Sequence, residues 1–447
     1  MPEESNTFRI EVFGCQMNQY DADLISRILI THGFQPVEKS SPETAQFIIL
    51  QTCSVRQHAE DRILRRIEEL SAFKKLNPEI KIIVSGCLAQ HRQHQLIDAY
   101  PSVDLIVGPD QYQRLPELLS VSSATPLSHG IFADWSQDDE YEWIQADQCN
   151  RIGNAYIAIM RGCNNYCSYC IVPYLRGRER SRSPQAIIDE INGLDPRFFH
   201  EITLLGQNVN SYCHEAFDFT DLLKLINKET DFNRIRFITS HPKDLLPRLI
   251  EAMASIPSLC EYFHLPLQSG SNHILERMNR GYDRAHFINL ITLLRQAVPH
   301  IALSTDVMVG FPGESDQDFS ATLDLLNQAQ FEDAYMYKYS IREGTQAAAW
   351  KETLSENEKI ARLQHLIRHQ LEITRERLNT RIGSSMEVLI EATSKKNSHQ
   401  WLGRSRENLM VVFPKKQEEI NRIVTLNITG VKGKTLQGEA GDGDEKN

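Results

Sequence analysis

The chain lacks any run of the roughly 20 consecutive apolar residues that a bilayer-crossing helix needs. Its first residues, MPEESNTFRI, carry neither a basic stretch nor an apolar one of the kind that directs export. A cytoplasmic protein with no membrane attachment is expected. Basic charge is also short: 48 Lys and Arg stand against 59 Asp and Glu, a formal net charge of -11. A surface coated for non-specific nucleic-acid binding is thereby excluded, and any such contact must come from local patches. A single CxxC occurs, so the matched pairs of a zinc ribbon are missing. The cysteine count is odd, at nine, and a reducing compartment disfavours disulfides, so metal or redox chemistry is the better first reading. What remains, 447 residues with 41% hydrophobic and 24% charged, is the balance of a globular protein of two or three domains.

The N-terminal third repeats one local pattern. A short apolar run ends in a small or polar residue followed directly by cysteine: FRIEVFG before Cys15, FIILQT before Cys53 and KIIVSG before Cys87. The segments between them, DADLISRILITHGF and VRQHAEDRILRRIEELSAFKKLN, space their apolar residues by threes and fours, as amphipathic helices do. This predicts an open parallel α/β sheet, in which functional groups collect outside the carboxyl ends of the strands. Any one of these cysteines taken singly reads as a buried small hydrophobe. Three in the same structural slot favour a shared site, and three thiolates suit a four-iron cluster with one iron left open.

The sharpest signal is NAYIAIMRGCNNYCSYCIVPYLRGRERSR, where Cys163, Cys167 and Cys170 stand at CxxxCxxC spacing after an apolar run. Three thiolates on one tight loop can hold three irons of a cubane and leave the fourth to a chelating ligand; a structural zinc or inert thiols are the weaker reading. Five further apolar runs follow, EITLLGQN, RIRFITSHP, YFHLPLQSGS, IALSTDVMVGFPGES and DAYMYKYSIREGT. With the first they make about six βα units, fewer than a complete barrel has, so an open (β/α)6 barrel is expected. Polar or glycine-rich loops fall at the strand ends: Gly206-Gln207-Asn208, Ser240-His241-Pro242, Gln268-Ser269-Gly270-Ser271 and Gly310-Phe311-Pro312-Gly313-Glu314. Each alone could merely turn the chain; their common position favours a site. Asp306, inside LSTDVMVGF, needs either a ligand or a local ion pair.

This loop and barrel pattern resembles the radical-SAM superfamily, with Tyr169 at the aromatic position of the cysteine loop. The stretches FGCQMNQYDAD, QTCSVRQHAEDR, SGCLAQ, LLGQNVNSY, HLPLQSGSNHILERMNRGY, STDVMVGFPGESDQDF and YSIREGTQAA narrow the likeness to the radical-SAM methylthiotransferases, over almost the whole chain. GQNVNSY is similar to the variant of the tRNA 2-methylthioadenosine synthase branch. The resemblance implies that Cys15, Cys53 and Cys87 hold an auxiliary [4Fe-4S] cluster, and that Cys163, Cys167 and Cys170 hold the radical-generating one. It implies no catalytic side chain separate from the clusters. It further implies S-adenosylmethionine contacts at Tyr169, Gln207, Asn208, Gln268, Ser269 and Asp306, with Gln207 standing where many relatives carry a glutamate. The implied activity puts a methylthio group on carbon 2 of N6-isopentenyladenosine at position 37 of tRNA. One S-adenosylmethionine supplies the methyl group and a second supplies the radical. That carbon has no acidic or nucleophilic handle, which makes radical chemistry the plausible route.

From about Arg381 the pattern changes to short β-branched runs, RIGSSMEVLIEATS, WLGRSRENLMVVF, NRIVTLNITGV and KTLQGEA, which predict a small five-stranded barrel. It resembles the TRAM domain, an RNA-binding barrel, with Lys395, Lys396, Trp401, Arg404 and Arg406 as expected RNA contacts; the basic residues also read as a solvated surface. Arg176, Arg178, Arg180 and Arg182 are placed to guide a phosphate or orient cofactor, or to form ion pairs, with Glu179 as one partner. The expected organisation is 1–120 for the auxiliary-cluster domain, 121–148 for a linker, 149–380 for the radical-SAM domain and 381–447 for the TRAM domain. Cys149, Cys213 and Cys260 are expected to be ordinary thiols, and the tail GEAGDGDEKN to fray. Expected partners are the tRNA anticodon stem-loop, an electron donor such as a flavodoxin or ferredoxin, and a sulfur or cluster donor, with the chain a monomer. The competing readings are the same chemistry on threonylcarbamoyl-adenosine tRNA or a ribosomal-protein aspartate, and a non-catalytic iron-sulfur RNA-binding protein. Gln207-Asn208-Val209-Asn210 argues against the first two.

Overall fold

The computed structural model describes residues 6–37, 45–54, 57–124, 130–135, 146, 152–416 and 419–440. The chain divides into two compact units, residues 1–149, 161–164 and 171–182 in the first and 150–160, 165–170 and 183–447 in the second. The central cysteine loop thus contributes Cys163 to the first unit, and Cys167 and Cys170 to the second.

The first unit is built on a six-stranded parallel sheet in the order Gln35–Pro36, Thr7–Val12, Phe47–Thr52, Lys81–Gly86, Leu105–Val107, Gly130–Phe132. A parallel sheet is covered on both faces, and Phe47–Thr52 is buried at every position. Alternate side chains go to opposite layers: Phe47 and Ile49 pack with Leu24, Ile25 and Ile28 of the helix Gln16–Thr31, while Ile48 and Leu50 pack with Ile63, Ile67 and Leu70 of the helix Gln57–Leu76. Gly130–Phe132, in the stretch expected to be a linker, is the edge strand of this sheet. Residues 125–129, 136–145 and 147–148 of that stretch lie outside the described residues, as do 149–151 beyond it, Cys149 among them.

In the second unit the six expected apolar runs form two parallel sets of strands. Gly153–Ala158, Phe199–Leu205 and Ile235–Phe237 make one, and Tyr262–His264, Ala302–Val309 and Asp333–Lys338 the other. A parallel bridge from Ile235 to Leu259 links them into an open six-stranded barrel. Three of its outer helices start on reciprocal capping boxes, at Asp218 and Asp221, Ser315 and Asp318, and Ser355 and Glu358.

The C-terminal strands close into a five-stranded barrel in the order Ser385–Thr393, Gln400–Ser405, Met410–Pro414, Thr435–Ala440, Ile423–Lys432. Gly438 to Ala440, the start of the tail expected to fray, belong to its ladder, and 441–447 lie outside the described residues. This barrel is docked on the larger one. Tyr262 and Ala302 join its core beside Met386, Val388 and Leu426. Buried Glu201 holds Arg236 at 2.7 Å and Arg234 at 3.0 Å. Their guanidiniums reach across to the carbonyls of Ser405 at 2.6 Å and Arg404 at 3.1 Å.

Candidate functional site

Cys15, Cys53 and Cys87 follow three neighbouring parallel strands of the first unit, Thr7–Val12, Phe47–Thr52 and Lys81–Gly86, at their carboxyl ends. Gly14, at φ +136°, permits the approach, because a Cβ there would stand 2.5 Å from that of Cys53. A hydrogen bond with Cys53, helped by Asn18 and the Arg176 charge, draws the Cys15 thiol down from 9.0 to about 6. Cys87 is buried beside Ile171 and Leu175, and burial pushes its thiol up while Arg176 opposes the rise. Among the described residues no three His, Cys, Asp or Glu side chains are gathered tightly enough for a single metal ion. A four-iron cluster gives each thiolate a separate iron, so its ligands stand further apart than those of one ion. Three sulfurs at adjacent strand ends, one already biased to thiolate and one beside a guanidinium, fit such a cluster.

The arginine-rich stretch turns inward. Arg176 Nε donates to Cys87 Sγ at 3.1 Å, and its Nη1 pairs with Asp21 at 2.7 Å. Asp21 also receives Arg161 Nη2 at 2.9 Å and Gln51 Nε2 at 3.3 Å. Arg180 pairs with Asp110 at 2.7 Å, Arg182 is buried against the Tyr20 hydroxyl at 3.3 Å, and only Arg178 is exposed. Ion pairing is therefore the outcome for Arg176 and Arg180, with Asp21 and Asp110 as partners; Glu179 instead accepts from the Asn164 amide at 3.1 Å. The side chains that sequence alone did not single out are Asp21 and Arg161. Their signal was a carboxylate on the apolar face of a helix and a cation inside an apolar run, each of which requires a buried partner.

In the second unit, Arg280 Nη1 donates to Cys167 Sγ at 3.4 Å, and the Cys170 amide to the Cys167 carbonyl at 2.9 Å. Tyr169 packs edge-on against Phe311, ring centroids 6.3 Å apart, and burial raises its phenol well above the ordinary value. The other expected cofactor contacts sit at or just beyond barrel strand ends. Asn208 donates to Asp244 Oδ2 at 2.7 Å, leaving its buried Oδ1 with no hydrogen-bond partner. Gln207 is half-buried beside it. Gln268, at φ +66°, is held through its backbone to Asp306 and Met308 at 2.7 and 2.9 Å. Ser269 is buried with its hydroxyl on Thr322 at 3.4 Å. Asp306 is paired locally, with His264 Nε2 at 3.2 Å.

Two residues outside the expected set carry buried, unpartnered polar atoms at a neighbouring strand end. His241 accepts the Lys243 amide on Nδ1 at 3.3 Å, so its Nε2 carries the hydrogen, and that atom is buried without a partner. Burial, with Arg280 and Lys243, lowers its pKa from 6.5 to about 2, which keeps the ring neutral. The buried Ser240 hydroxyl beside it is likewise unpartnered. Free acceptors and donors next to the cysteine-bearing side of a barrel are what a small zwitterionic ligand requires.

On the terminal barrel, Lys395 and Lys396 are exposed, and Lys415 Nζ lies 4.0 Å from the centroid of the Trp401 ring. The two arginines expected with them are engaged elsewhere. Arg404 pairs with Glu391 at 2.7 Å, and Arg406 turns toward the larger barrel, meeting Glu261 at 2.9 Å and the Leu259 and Pro257 carbonyls at 2.7 and 2.9 Å. Arg406 thus ties the terminal barrel to the larger one instead of facing RNA-accessible solvent freely. Cys213 is exposed and Cys260 buried, its thiol pushed up to about 11 by burial.

Comparison with known proteins agrees with this arrangement. Residues 157–326 match the model of the Radical SAM superfamily, residues 7–108 that described as Uncharacterized protein family UPF0004, and residues 379–440 the TRAM domain. The chain is similar to the tRNA-2-methylthio-N(6)-dimethylallyladenosine synthase of Chlorobium limicola, 41% identical over 445 residues covering 99% of both chains. It is equally similar to the protein of that name in Alkaliphilus oremlandii, 41% identical over 444 residues, 98% of this chain and 93% of the relative. Among solved structures, the radical S-adenosylmethionine methyltransferase TsrM from Kitasatospora setae, with cobalamin and a [4Fe-4S] cluster bound, shares the fold. Its TM-score is 0.57 at 15% identity over 77% of each chain. With two cysteine triplets, an open barrel and a terminal β-barrel in one chain, and that identity across its whole length, the chain belongs to the tRNA-2-methylthio-N(6)-dimethylallyladenosine synthase family of the radical SAM superfamily.

Proposed function

We propose that this protein is a tRNA methylthiotransferase that places a methylthio group on carbon 2 of N6-isopentenyladenosine at position 37. The observation that carries the reading is 41% identity, over 99% of both chains, to a protein named for that activity; two cysteine triplets in the sequence, one of them following three neighbouring parallel strands, support it. When bound, the central cluster and S-adenosylmethionine supply a carbon-centred radical, and the auxiliary cluster supplies a coordination position for sulfur.

The chain's own residues bind, orient and exclude water. Cys163, Cys167 and Cys170 hold the central cluster, and Cys15, Cys53 and Cys87 the auxiliary one. Asn208 Oδ1 is a free acceptor suited to an ammonium group, and His241 Nε2 a free donor suited to a carboxylate. Gln207, Gln268, Ser269, Asp306 and Tyr169 shape the rest of the cofactor surface, Tyr169 by its apolar face. Lys395, Lys396 and Trp401 offer a basic and aromatic surface for an unstacked RNA loop. The protein acts in the cytoplasm as a monomer, with a flavodoxin or ferredoxin as electron donor and a separate sulfur donor.

The direct test is mass spectrometry of tRNA nucleosides from cells lacking and expressing the protein. The 2-methylthio group on isopentenyladenosine is expected only in the second. Its absence from both, with the protein present and iron-loaded, would refute the substrate assignment. Cys163→Ala should abolish reductive cleavage of S-adenosylmethionine, whereas Cys53→Ala should leave cleavage and lose sulfur insertion.

A further inference from the structure

Arg280 is 4% exposed, and among the described residues no carboxylate pairs with it. Its Nη2 donates to the Pro266 carbonyl at 3.0 Å and its Nε to the Tyr282 hydroxyl at 3.1 Å, both neutral acceptors. Burial raises the Tyr282 phenol above its ordinary 10.0, so that ring supplies no charge. Other buried arginines of the same unit each have an acid: Arg234 and Arg236 share Glu201, and Arg362 has Glu314. A guanidinium buried with no counter-charge costs several kcal/mol. The one remaining hydrogen-bond acceptor of Arg280 is Cys167 Sγ, 3.4 Å from Nη1.

We propose that Arg280 is the positioning residue of the central cluster: its guanidinium holds the Cys167 sulfur and supplies a positive charge that the net-negative, thiolate-ligated cluster would balance. The proposal rests on the reading that Cys163, Cys167 and Cys170 carry that cluster. Reduction adds one electron from an external low-potential donor, with no bond broken. A fixed cation beside a ligand sulfur stabilises the more negative, reduced form and so raises the reduction potential. In the iron-free protein the same cation is an unpaired buried charge, so cluster loading and stability are coupled through it.

The test uses the full-length chain carrying Cys15→Ala, Cys53→Ala and Cys87→Ala, reconstituted anaerobically so that only the central cluster is present. Potentiometric titration with dithionite, followed by electron paramagnetic resonance, compares Arg280 with Arg280→Met and Arg280→Lys. Arg280→Met is expected to disfavour reduction by about tenfold, about 59 mV for a one-electron couple. Arg280→Lys, which keeps the charge, is expected to stay within about threefold, or about 30 mV. Thermal unfolding gives a second readout. Iron-free Arg280→Met should be at least as stable as its parent, and should gain less stability on loading.

An unchanged midpoint with weakened S-adenosylmethionine binding would overturn the proposal and make Arg280 a cofactor contact. An unchanged midpoint with a destabilised iron-free protein would overturn it in favour of a purely architectural role. If the parent takes up no iron at the central triplet, the cluster reading itself fails, and the inference with it.

Discussion

A neutral imidazole sealed beside two cations has one protonation state open to it, and His241 is in that position between Arg280 and Lys243. Its folded pKa of about 2 lies below the ordinary 6.5, so the unfolded chain takes up a proton that the folded chain refuses. The stability this contributes is present above pH 6.5 and is lost as pH falls toward the folded value, by about 1.4 kcal/mol per pH unit once well below 6.5. His241→Phe keeps a flat ring and removes the titration. Urea unfolding at pH 7 and pH 5 should therefore show a smaller loss for the variant than for the parent, and equal losses would contradict the assignment. Residue chemistry of this kind was half legible in advance. The loop Ser240-His241-Pro242 stood out at a strand end, but the unpartnered Nε2 depends on which backbone amide reaches Nδ1, and that is a tertiary fact.

At the scale of elements, strands that bury both faces announced themselves as apolar runs, and all six of the open barrel were legible. Within the six-stranded sheet the strands not foreseen, Gln35–Pro36, Leu105–Val107 and Gly130–Phe132, are two or three residues long, shorter than one period of alternation can establish. They exist because a longer neighbour offers its ladder, which the local sequence does not encode. The turn into the central cysteine loop shows the reverse case, since its geometry hangs on one glycine. Gly162 has φ +80°, and a Cβ there would sit 1.9 Å from the Arg178 carbonyl oxygen. Gly162→Ala should cost about 2–3 kcal/mol from backbone strain and the clash together. It should also lower iron uptake after reconstitution. A melting temperature and iron content equal to the parent would show that the backbone relaxes at no cost.

Over the whole molecule, the terminal barrel shares core with the larger one through Tyr262 and Ala302, and the pair Arg234 and Arg236 donates into it. Deleting the chain from Arg381 would therefore strip apolar cover and leave buried guanidiniums short of acceptors. Point changes on the exposed face test RNA binding more cleanly. Lys395→Glu with Lys396→Glu should weaken tRNA binding and reduce the slope of log affinity against log salt by about two, one for each lysine taken from a phosphate. Arg406→Ala should leave that slope unchanged, because its guanidinium is spent on Glu261 and the Leu259 carbonyl. A slope altered by Arg406→Ala alone would place that arginine on the RNA after all.

Spacing along the chain, which is local information, determined the two cysteine triplets, the order of sheet, barrel and terminal β-barrel, and the family these imply. Thiols three or four residues apart, or standing one after each strand, keep that relation however the rest of the chain packs. Only the tertiary structure decided which cations face solvent and which serve the interior. Arg176, Arg280 and Arg406 are as basic in sequence as Lys395 and Lys396. Folding brings Asp21 and Cys87 to the first, Cys167 to the second and Glu261 to the third, the last from 145 residues away along the chain. A buried charge is defined by partners far off in sequence, so it becomes readable once the chain has brought them together.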